Sequence, residues 1–467
     1  MRGRRSGTIL ILTSAMALLC VFAITVLVTK SDDAIAPARL ASHGRGGRFP
    51  DAPHSLARPA ANTSNLAGSE YGGYWNGSSS FVSPEQMKAW ADEVAPWSTT
   101  YAANPQNAGE PTPGKRARAV IVALVRNSEL DDMVHSIKSL ESSFNSRYNY
   151  PYVFLNDVPF TQEFMDTVSN FTSSETSFGL LPKDHWEIPE WIDGAEAEIA
   201  RNRMASHGVM YGGSLPYRKM CRFNSGFFYK HPLLQPYDWY WRIEPDVDYY
   251  CNLDFDPFRF MEDNGKKYSF TIALTELPRT IYNMWAYTIK YARENQINTT
   301  LLPYFANANG DYNLCHFWSN FEIASLEFFR SDEYESFFQY LDSSGNFFYE
   351  RYGDAPVHSL AAGLLLRQDE VHYFWDIGYR HDNFFNCPLK TPEGKQHDKC
   401  SCPETVNGRR RVEKPCLGWW KDYKPKTWSV QDYDRILEHL SKSSSYPLFE
   451  VGSVGERRKF LHYLMQR

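Results

Sequence analysis

Residues 237–251 are Tyr237-Asp238-Trp239-Tyr240-Trp241-Arg242-Ile243-Glu244-Pro245-Asp246-Val247-Asp248-Tyr249-Tyr250-Cys251. The part from Trp239 to Ile243 is rich in aromatic and β-branched side chains, which predicts a buried strand. Pro245 lacks the backbone N–H that a strand ladder uses, so the strand should end before it. Glu244 and Asp246 would then lie at the carboxyl end of this strand, the edge at which open α/β sheets bind ligands.

The spacing of these two acids predicts a metal site. Glu244 and Asp246 are two residues apart, so their side chains would project to the same side of an extended chain. Two carboxylates suit Mg²⁺ or Mn²⁺ bridging a diphosphate, whose own oxygens complete the coordination. The alternative is a loop with surface acids, because acid-x-acid patterns are common by chance.

Composition and charge set the outer limits. The chain has 467 residues, of which 43% are hydrophobic and 15% aromatic, enough for a large core in one or two globular domains. The formal net charge is −6, and residues 1–30 contain four basic and no acidic side chains. The remainder therefore holds 45 basic against 55 acidic residues, which argues against nucleic acid as a partner.

The N-terminus has the pattern of a membrane anchor. Arg2, Arg4 and Arg5 precede an uncharged run from Ser6 to Thr29 dominated by aliphatic residues. About 20 helical residues span the roughly 30 Å hydrocarbon core, so we predict a cytoplasmic tail over residues 1–7 and a signal-anchor helix over residues 8–29. The arginines should stay cytoplasmic and the rest of the chain should lie on the other side of the membrane. A cleaved signal peptide is the alternative.

The next segment, residues 30–114, is rich in Ala, Ser, Gly, Pro and Asn. Such a composition buries too little apolar surface to fold alone, so we predict a flexible stem, followed by a catalytic domain over residues 115–467. One exception is Pro84 to Trp97, where apolar side chains recur at helical spacing and predict a short helix docked on the domain.

The cysteines indicate an oxidising compartment. After Cys20 the chain has seven cysteines: Cys221, Cys251, Cys315, Cys387, Cys400, Cys402 and Cys416. Up to three disulfides could form with one thiol left over. Cys400-Ser401-Cys402 lacks a second pair at zinc-site spacing, which favours disulfides over a metal knuckle.

The fold class follows from the region after residue 115. Ala119–Val125 is a continuous apolar run typical of a strand buried on both faces. Ser128 can cap a helix over Glu129–Phe144, and Tyr152–Leu155 is the next strand. A strand, a helix and a strand in this order predict a right-handed βαβ unit and an α/β fold with a mostly parallel sheet flanked by helices. A further strand is predicted at Tyr268–Leu274.

Phosphate recognition would need metal or basic side chains. The sequence contains neither G-x-G-x-x-G nor G-x-x-x-x-G-K-[ST], which favours a metal-dependent transferase over a dehydrogenase or a P-loop ATPase. Residues 217–228 offer Arg218, Lys219 and Arg222, and a guanidinium here could clamp phosphate in a bidentate way. The alternative is a solvated helix face with the phenylalanines packed inside.

Two later stretches combine functional side chains with aromatic ones. Residues 313–323 contain His316, Trp318 and Glu322. A carboxylate among aromatic rings can have a perturbed pKa and act as nucleophile or base, while rings can stack on sugars; a core helix is the alternative. Residues 375–383 contain His381, and an imidazole suits Mn²⁺ better than Mg²⁺, although a single histidine is often structural.

Four motifs together resemble the fungal α-1,2-mannosyltransferases of glycosyltransferase family 15. The motifs are Tyr217-Arg218-Lys219-Met220-Cys221-Arg222-Phe223, Tyr240-Trp241-Arg242-Ile243-Glu244-Pro245-Asp246-Val247, Cys315-His316-Phe317-Trp318-Ser319-Asn320-Phe321-Glu322-Ile323 and Ala355-Pro356-Val357-His358-Ser359. The resemblance covers about residues 115–440 in the same order and is specific, since chance agreement of four aromatic-rich motifs is improbable.

The resemblance implies a GT-A-type fold and a type II membrane protein of the Golgi with a lumenal catalytic domain. It implies transfer of mannose from GDP-mannose to mannose residues of glycoprotein O- or N-glycans, with retention of the α configuration. In that family Mn²⁺ binds the glutamate of the E-P-D motif, here Glu244, and a histidine from the C-terminal third. By position this histidine is His381, with His358 in reserve.

The same resemblance assigns the remaining roles. It implies Glu322 as the candidate nucleophile and Tyr217 as the tyrosine near the donor. Arg222 and Asp246 match the surrounding motifs, and we infer from this that they bind substrate. His316 and Trp318 are predicted to contact substrate as well. Retention requires either two inversions through a glycosyl-Glu322 intermediate or a front-face substitution in which Glu322 stabilises positive charge. An inactive mannan-binding protein, with Trp318, Trp419 and Trp420 as stacking platforms, and a mannosylphosphate transferase are the alternatives.

Overall fold

The computed structural model describes residues 82–104, 114–388, 398–403 and 415–442. The predicted membrane segment, residues 8–29, lies outside these residues, as does the first part of the predicted stem. Across the described ranges, none of the helices has the length and apolar character needed to cross a bilayer.

The described chain is an α/β structure of short strands and helices. The strands are β1 Thr99–Tyr101, β2 Ala119–Leu124, β3 Tyr152–Asn156, β4 Thr176–Leu180, β5 Trp239–Arg242, β6 Val247–Tyr249, β7 Tyr268–Phe270, β8 Ala273–Thr275, β9 Cys315–Phe317, β10 Glu322–Ser325, β11 Val371–Tyr373, β12 Tyr379–His381 and β13 Phe384–Asn386. The α-helices are α1 Pro84–Val94, α2 Leu130–Leu140, α3 Ser146–Tyr148, α4 Gln162–Asn170, α5 Lys183–Trp186, α6 Gly194–Ser206, α7 Leu215–Gly226, α8 Pro257–Asp263, α9 Met284–Glu294, α10 Leu326–Arg330, α11 Asp332–Ser343, α12 Asn346–Tyr349, α13 Asp354–Leu365, α14 Pro415–Asp422 and α15 Val430–Lys442.

A six-stranded sheet forms the centre of the domain, in the order β1-β4-β3-β2-β5-β10. Strands β4, β3, β2 and β5 are parallel, whereas the outer strands β1 and β10 run antiparallel to their neighbours. The predicted mostly parallel sheet is therefore confirmed, and β2, α2 and β3 form the predicted βαβ unit. The carboxyl ends of β2 and β5 meet at one edge of the sheet, where Glu244 follows β5.

Alternating side chains of the sheet pack against helices on both of its faces. On β2 and β5, Val120, Val122 and Tyr240 belong to one apolar cluster, whereas Ile121 and Trp241 belong to the other. The first cluster includes buried residues of α7, α9, α11 and α13, and the second includes those of α2, α4 and α8. Because side chains alternate along a strand, Arg242 and Glu322 share the face of Tyr240, towards α7 and α13.

The helix predicted over Glu129–Phe144 is shorter in the structure, where α2 runs from Leu130 to Leu140. A 3₁₀ turn precedes α2, and a π-helical segment, Glu141–Asn145, follows it. The backbone N–H of Arg126 donates to the Glu129 carboxylate at 2.8 Å, so this pair, and not Ser128, forms the cap. The buried side chains of Met133, Ile137 and Leu140 confirm the predicted apolar stripe.

The predicted strand at Tyr268–Leu274 is wrong as a single strand. The chain bends after Phe270 and forms two strands, β7 and β8. β7 pairs in parallel with β11, and β8 pairs antiparallel with β9, so neither belongs to the six-stranded sheet. Composition indicates extended structure here but not the partner, which comes from residues far along the chain.

Residues 82–104 belong to the folded domain. The helix predicted over Pro84–Trp97 forms α1 and a 3₁₀ turn, and it buries Trp90 and Val94. Strand β1 then extends the sheet by pairing with β4. The domain therefore begins before residue 115, the boundary expected from composition, because this short segment contributes its own apolar side chains to the core.

Three disulfides form in the domain. Cys251–Cys400 and Cys315–Cys416 join distant parts of the chain, and Cys387–Cys402 links residues 15 positions apart. Cys221 is a free, buried thiol. The predicted number of disulfides is confirmed, and both cysteines of the Cys400-Ser401-Cys402 motif form disulfides. Such bonds fit an oxidising compartment.

Candidate active site

The two acids after β5 do not lie on an extended chain. Pro245 and Asp246 form a turn, and Asp246 has a φ of +54°. The prediction of a common side for Glu244 and Asp246 assumes an extended chain, and the turn at Pro245 and Asp246 removes that basis. Asp246 is 57% exposed and forms an ion pair with Arg380 at 3.0 Å.

Arg242 links Glu244 to a buried acid from a distant helix. Its Nε donates to Glu244 Oε1 at 2.6 Å, and its Nη1 donates to Asp354 Oδ2 at 2.6 Å. The hydroxyl of Ser319 also donates to Asp354 at 2.6 Å. Burial alone would raise the pKa of Asp354, but the charges of Arg242 and His358 outweigh it and lower that pKa to about 2. Asp354 is therefore ionised at neutral pH.

Glu322 lies opposite Arg242 in the antiparallel pair of β10 and β5. Its side chain is fully buried. One carboxylate oxygen accepts the hydroxyl of Tyr240, and the other accepts the hydroxyl of Tyr268 at 2.7 Å. Glu322 and Arg242 line a pocket between the sheet and α7. The carboxylate thus faces a cavity, although bulk solvent does not reach it.

His358 on α13 connects Glu322 to α7. Its Nδ1 lies 3.0 Å from Glu322 Oε2, and its Nε2 lies 2.9 Å from the carbonyl oxygen of Asn224. Burial opposes the charged form of His358, but the Glu322 carboxylate outweighs it and raises the pKa of the imidazole. Because both neighbours accept hydrogen bonds, the imidazolium, with two N–H donors, satisfies both.

The raised pKa makes His358 a source of pH-dependent stability. The folded protein binds this proton more tightly than the unfolded chain, so the stabilisation is complete below the ordinary histidine pKa of about 6.5. It should be lost as the pH rises through the higher pKa of the folded state. We expect the urea midpoint of the wild-type protein to fall on going from pH 6.5 to alkaline pH, and this fall to be smaller in His358→Gln.

A matched control for this measurement is His372→Gln. Burial lowers the pKa of His372 to about 4, so that residue changes charge below pH 6.5. The control should keep the wild-type decline in urea midpoint above pH 6.5. An unchanged decline in His358→Gln would show that His358 does not carry the proton in question.

His381 lies near Glu244 through the pairing of β12 with β6, in which it is opposite Val247. Burial lowers the pKa of His381, and the Glu244 charge opposes this shift only in part. The imidazole is therefore neutral at neutral pH. Its Nδ1 lies 2.6 Å from Asn320 Nδ2, and the ring of Trp318 lies 5.2 Å away, centroid to centroid.

Tyr217 and His316 belong to a neighbouring polar cluster. The guanidinium of Arg351 lies 5.0 Å from the centre of the Tyr217 ring and donates to Glu276 at 3.3 Å. Burial lowers the pKa of His316, while Glu276 and Asp354 raise it in part. His316 is therefore near Glu276 and Asp354, and its Nδ1 is buried without a hydrogen-bond partner.

Arg222 does not join these groups. Its guanidinium binds Asp342 at 2.7 and 2.8 Å and lies 4.6 Å from the centre of the Phe227 ring. Arg222 thus makes the predicted bidentate contact, but with the carboxylate of Asp342 and not with a phosphate.

The structure brings together predicted residues with several that the sequence analysis did not single out. Glu244, His381 and Trp318 are near one another, and Glu322 lies opposite the strand that leads to Glu244. The additional residues are Arg242, Asp354, Arg351, Glu276, Tyr240, Tyr268 and Asn320. Arg242 had a local signal, since it lies two residues before Glu244 in the same motif. Tyr240 and Asn320 also lie in the quoted motifs, whereas Asp354, Arg351, Glu276 and Tyr268 depend on contacts between distant segments.

The chain is similar to known proteins over most of its folded domain. The sequence profile of the family described as glycolipid 2-alpha-mannosyltransferase matches residues 82–425. The chain belongs to glycosyltransferase family 15. The matched region contains every residue of the clusters described above.

Individual members of family 15 are similar over most of the folded domain. The chain is 50% identical over 293 residues to alpha-1,2 mannosyltransferase KTR1 of Saccharomyces cerevisiae, covering 62% of this chain and 74% of that protein. It is 45% identical over 337 residues to O-glycoside alpha-1,2-mannosyltransferase omh1 of Schizosaccharomyces pombe, covering 70% and 85%.

Two crystal structures of relatives show the same fold. Core-mannan synthase A of Aspergillus fumigatus, in a Mn/GDP form, is 38% identical with a TM-score of 0.60, covering 71% of this chain and 89% of that one. The mannosyltransferase Ktr4p of S. cerevisiae in complex with GDP is 33% identical with a TM-score of 0.61, covering 74% and 93%.

Proposed function

We propose that this chain transfers mannose from GDP-mannose to the 2-hydroxyl of a mannose in an O- or N-glycan, with retention of the α configuration. Its family membership makes it an α-1,2-mannosyltransferase that uses GDP-mannose. The observation that carries the proposal is the buried Glu322 carboxylate, held opposite Arg242 and beside a pocket at the edge of the sheet. We assign the fold to the GT-A type and the protein to the Golgi membrane, with this domain in the lumen.

Glu244 and His381 form a donor set that fits Mn²⁺. Glu244 Oε1 is occupied by Arg242, so Glu244 would use its other oxygen. In the described residues no cluster of three or more acidic, histidine or cysteine side chains could hold a metal. The diphosphate would therefore supply most of the coordination, as expected for such ions. The crystal structure of the A. fumigatus relative in its Mn/GDP form supports this cofactor.

Asn320 provides a further test of the fit. Its Nδ2 faces His381 Nδ1, while its Oδ1 is buried without a partner. Rotation of this amide by 180° would let Oδ1 accept a hydrogen bond from an N–H at Nδ1 of His381, which would leave the lone pair on Nε2 free for a metal. Metal-binding histidines usually donate their second N–H to such an acceptor. His358 has no free nitrogen, which favours His381 over it.

The reaction breaks the bond between C1 of mannose and the diphosphate oxygen, and forms a bond from C1 to the acceptor oxygen. GDP leaves with the electron pair, and its departing diphosphate oxygen takes the proton of the acceptor hydroxyl. Bound Mn²⁺ would neutralise charge on the departing diphosphate. Glu322 would stabilise positive charge at C1, held by Tyr240, Tyr268 and His358. Its three hydrogen bonds and burial favour this front-face role over nucleophilic attack, because they restrict its movement towards C1.

The test of the proposed function is product analysis with the purified full-length protein in detergent. The protein is incubated with GDP-mannose and methyl α-mannoside, with Mn²⁺ or with EDTA, and the products are analysed by NMR. We expect an α-1,2-linked dimannoside that forms only with the metal. A product that retains phosphate would indicate a mannosylphosphate transferase. Binding of the sugars without any product would indicate an inactive mannan-binding protein.

The metal set gives a separate prediction. Glu244→Ala should weaken Mn²⁺-dependent binding of GDP by about tenfold or more, because it removes a charged ligand. His381→Ala should also weaken the Mn²⁺-dependent binding of GDP. The measurement is GDP titration by calorimetry at several Mn²⁺ concentrations.

Asp246→Asn is the matched control for the metal set. Asp246 lies in the same motif, but its carboxylate binds Arg380. The control should retain most of the Mn²⁺-dependent GDP affinity. If Asp246→Asn lost as much affinity as Glu244→Ala, the metal would have to bind the second acid of the motif instead.

A further inference from the structure

Tyr211 occupies a backbone conformation that its own side chain disfavours. It lies in the loop between α6 and α7 and has a φ of +55°. For a bulky residue this left-handed conformation is less favourable than the right-handed one. Gly208, Gly212 and Gly213 are in the same loop, so glycine is readily used in this segment. Loop geometry alone would favour glycine at 211 as well, which indicates that the tyrosine ring has a use.

The ring of Tyr211 is held firmly although it is exposed. It stacks on Tyr217 with the ring centres 4.5 Å apart and 8° between the planes. Tyr211 is nevertheless 55% exposed, and the adjacent Met210 is 65% exposed. One face of the ring therefore rests on Tyr217, and much of the remainder is open to solvent. Buried apolar contact with the core does not explain the position of this ring.

Tyr217 connects this ring to the reaction site. Burial raises the pKa of Tyr217, and the charges of Asp354 and Glu276 act in the same direction, so the side chain is close to both acids. Asp354 in turn binds Arg242, which binds Glu244. The open face of Tyr211 is thus one stacked ring away from Tyr217, which is close to Asp354, the partner of Arg242.

The position along α7 shows which part of a substrate could reach Tyr211. Tyr217 and Asn224 lie on the same side of α7, seven residues and about 10 Å apart along its axis. Asn224 binds His358, the partner of Glu322. Tyr211 precedes the opposite, N-terminal end of the helix. A sugar ring that stacks on Tyr211 would therefore lie farther from Glu322 than the mannose that reacts there.

We propose that Tyr211 is an outer acceptor subsite, which stacks on the mannose preceding the one that receives the new residue. This assignment of Tyr211 rests on the proposed function. The apolar C–H face of a pyranose packs on an aromatic ring, and Tyr211 offers a rigid ring at little entropic cost. The enzyme would accordingly prefer an acceptor of two or more mannose residues to a single mannoside.

The test compares acceptors of different length at saturating GDP-mannose. Wild-type protein should use α-1,2-mannobiose with a higher kcat/KM than methyl α-mannoside. Tyr211→Ala should raise the KM for mannobiose about tenfold, with kcat/KM for methyl α-mannoside and the KM for GDP-mannose nearly unchanged. Tyr211→Phe should retain the wild-type preference, because the ring face is kept.

Tyr211→Gly separates binding from folding. Glycine adopts a positive φ without strain, so this variant should be at least as stable as the wild type, yet lose the preference for mannobiose. Trp97→Ala, which removes a ring of similar exposure beside β1, is the control and should keep the preference.

Two results would overturn the proposal. An equal loss with both acceptors would make Tyr211 a structural support for Tyr217, and a raised KM for GDP-mannose would make it a platform for the nucleobase. Failure of the proposed function would look different, because wild-type protein would then transfer mannose to neither acceptor.

Discussion

Replacement of Glu322 by glutamine is expected to reduce kcat by about 100- to 1,000-fold while GDP affinity stays nearly unchanged. The carboxylate is fully buried beside Arg242, and Glu322 is the acidic side chain among the residues that line this pocket. Glutamine keeps the volume and one acceptor oxygen but removes the charge that would stabilise C1. Steady-state kinetics with GDP-mannose and calorimetry with GDP provide the two readouts.

The relative losses of kcat in Glu322→Gln and Glu322→Ala distinguish the two mechanisms left open by the sequence. If Glu322 stabilises charge without bonding to C1, glutamine should retain more activity than alanine, because its oxygen still accepts a hydrogen bond. If Glu322 is the nucleophile, both variants should be equally inactive. Normal turnover in Glu322→Gln would exclude Glu322 from either role.

Glu141→Gln is a matched control for this variant. Glu141 is also a buried glutamate that accepts a hydrogen bond from a tyrosine, Tyr152, at 2.7 Å. It lies in the π-helical segment after α2, outside the polar clusters of the candidate site. The control should change stability without changing kcat. A similar loss of kcat in both variants would indicate a general effect of disturbing a buried carboxylate.

The parts of the fold that the sequence predicted are those decided by local composition. Ala119–Leu124 and Tyr152–Asn156 are apolar runs with clear ends, and the stripe on α2 has helical spacing. Strands β7 and β8 are extended as composition indicates, but their partners lie about 40 to 100 residues away in the chain. Pairing of this kind depends on the packed core, so a single sequence pattern does not specify it.

The same distinction applies to the site. Glu322 and Glu244 are in motifs that carry a family resemblance, and His381 is assigned by its position in the chain, so each could be named from the sequence. The partner of Arg242, by contrast, is Asp354, 112 residues away. Arg222 is predicted from its residue type to bind phosphate, but its partner in the structure is Asp342. Only the fold brings these two residues together.

Replacement of Arg242 by methionine is expected to lower the free energy of unfolding by about 3–5 kcal/mol. The guanidinium is buried between Glu244 and Asp354, and each ion pair measures 2.6 Å. Methionine would fill most of the space but leave the Asp354 carboxylate buried without its cation. Urea unfolding monitored by tryptophan fluorescence gives the change. Arg118→Met is the control, because it removes an exposed ion pair with Asp238 and should change the midpoint little.

A double variant tests whether the cost comes from the unpaired acid. Arg242→Met combined with Asp354→Leu removes both charges, so it should recover part of the stability lost in Arg242→Met alone. Additive losses would mean that the two residues stabilise the fold independently and that their ion pair contributes little. In either case the double variant should lack transferase activity, since Arg242 also positions Glu244. We therefore expect stability and catalysis to depend on the same buried guanidinium, which joins the acid after β5 to the helix that carries His358.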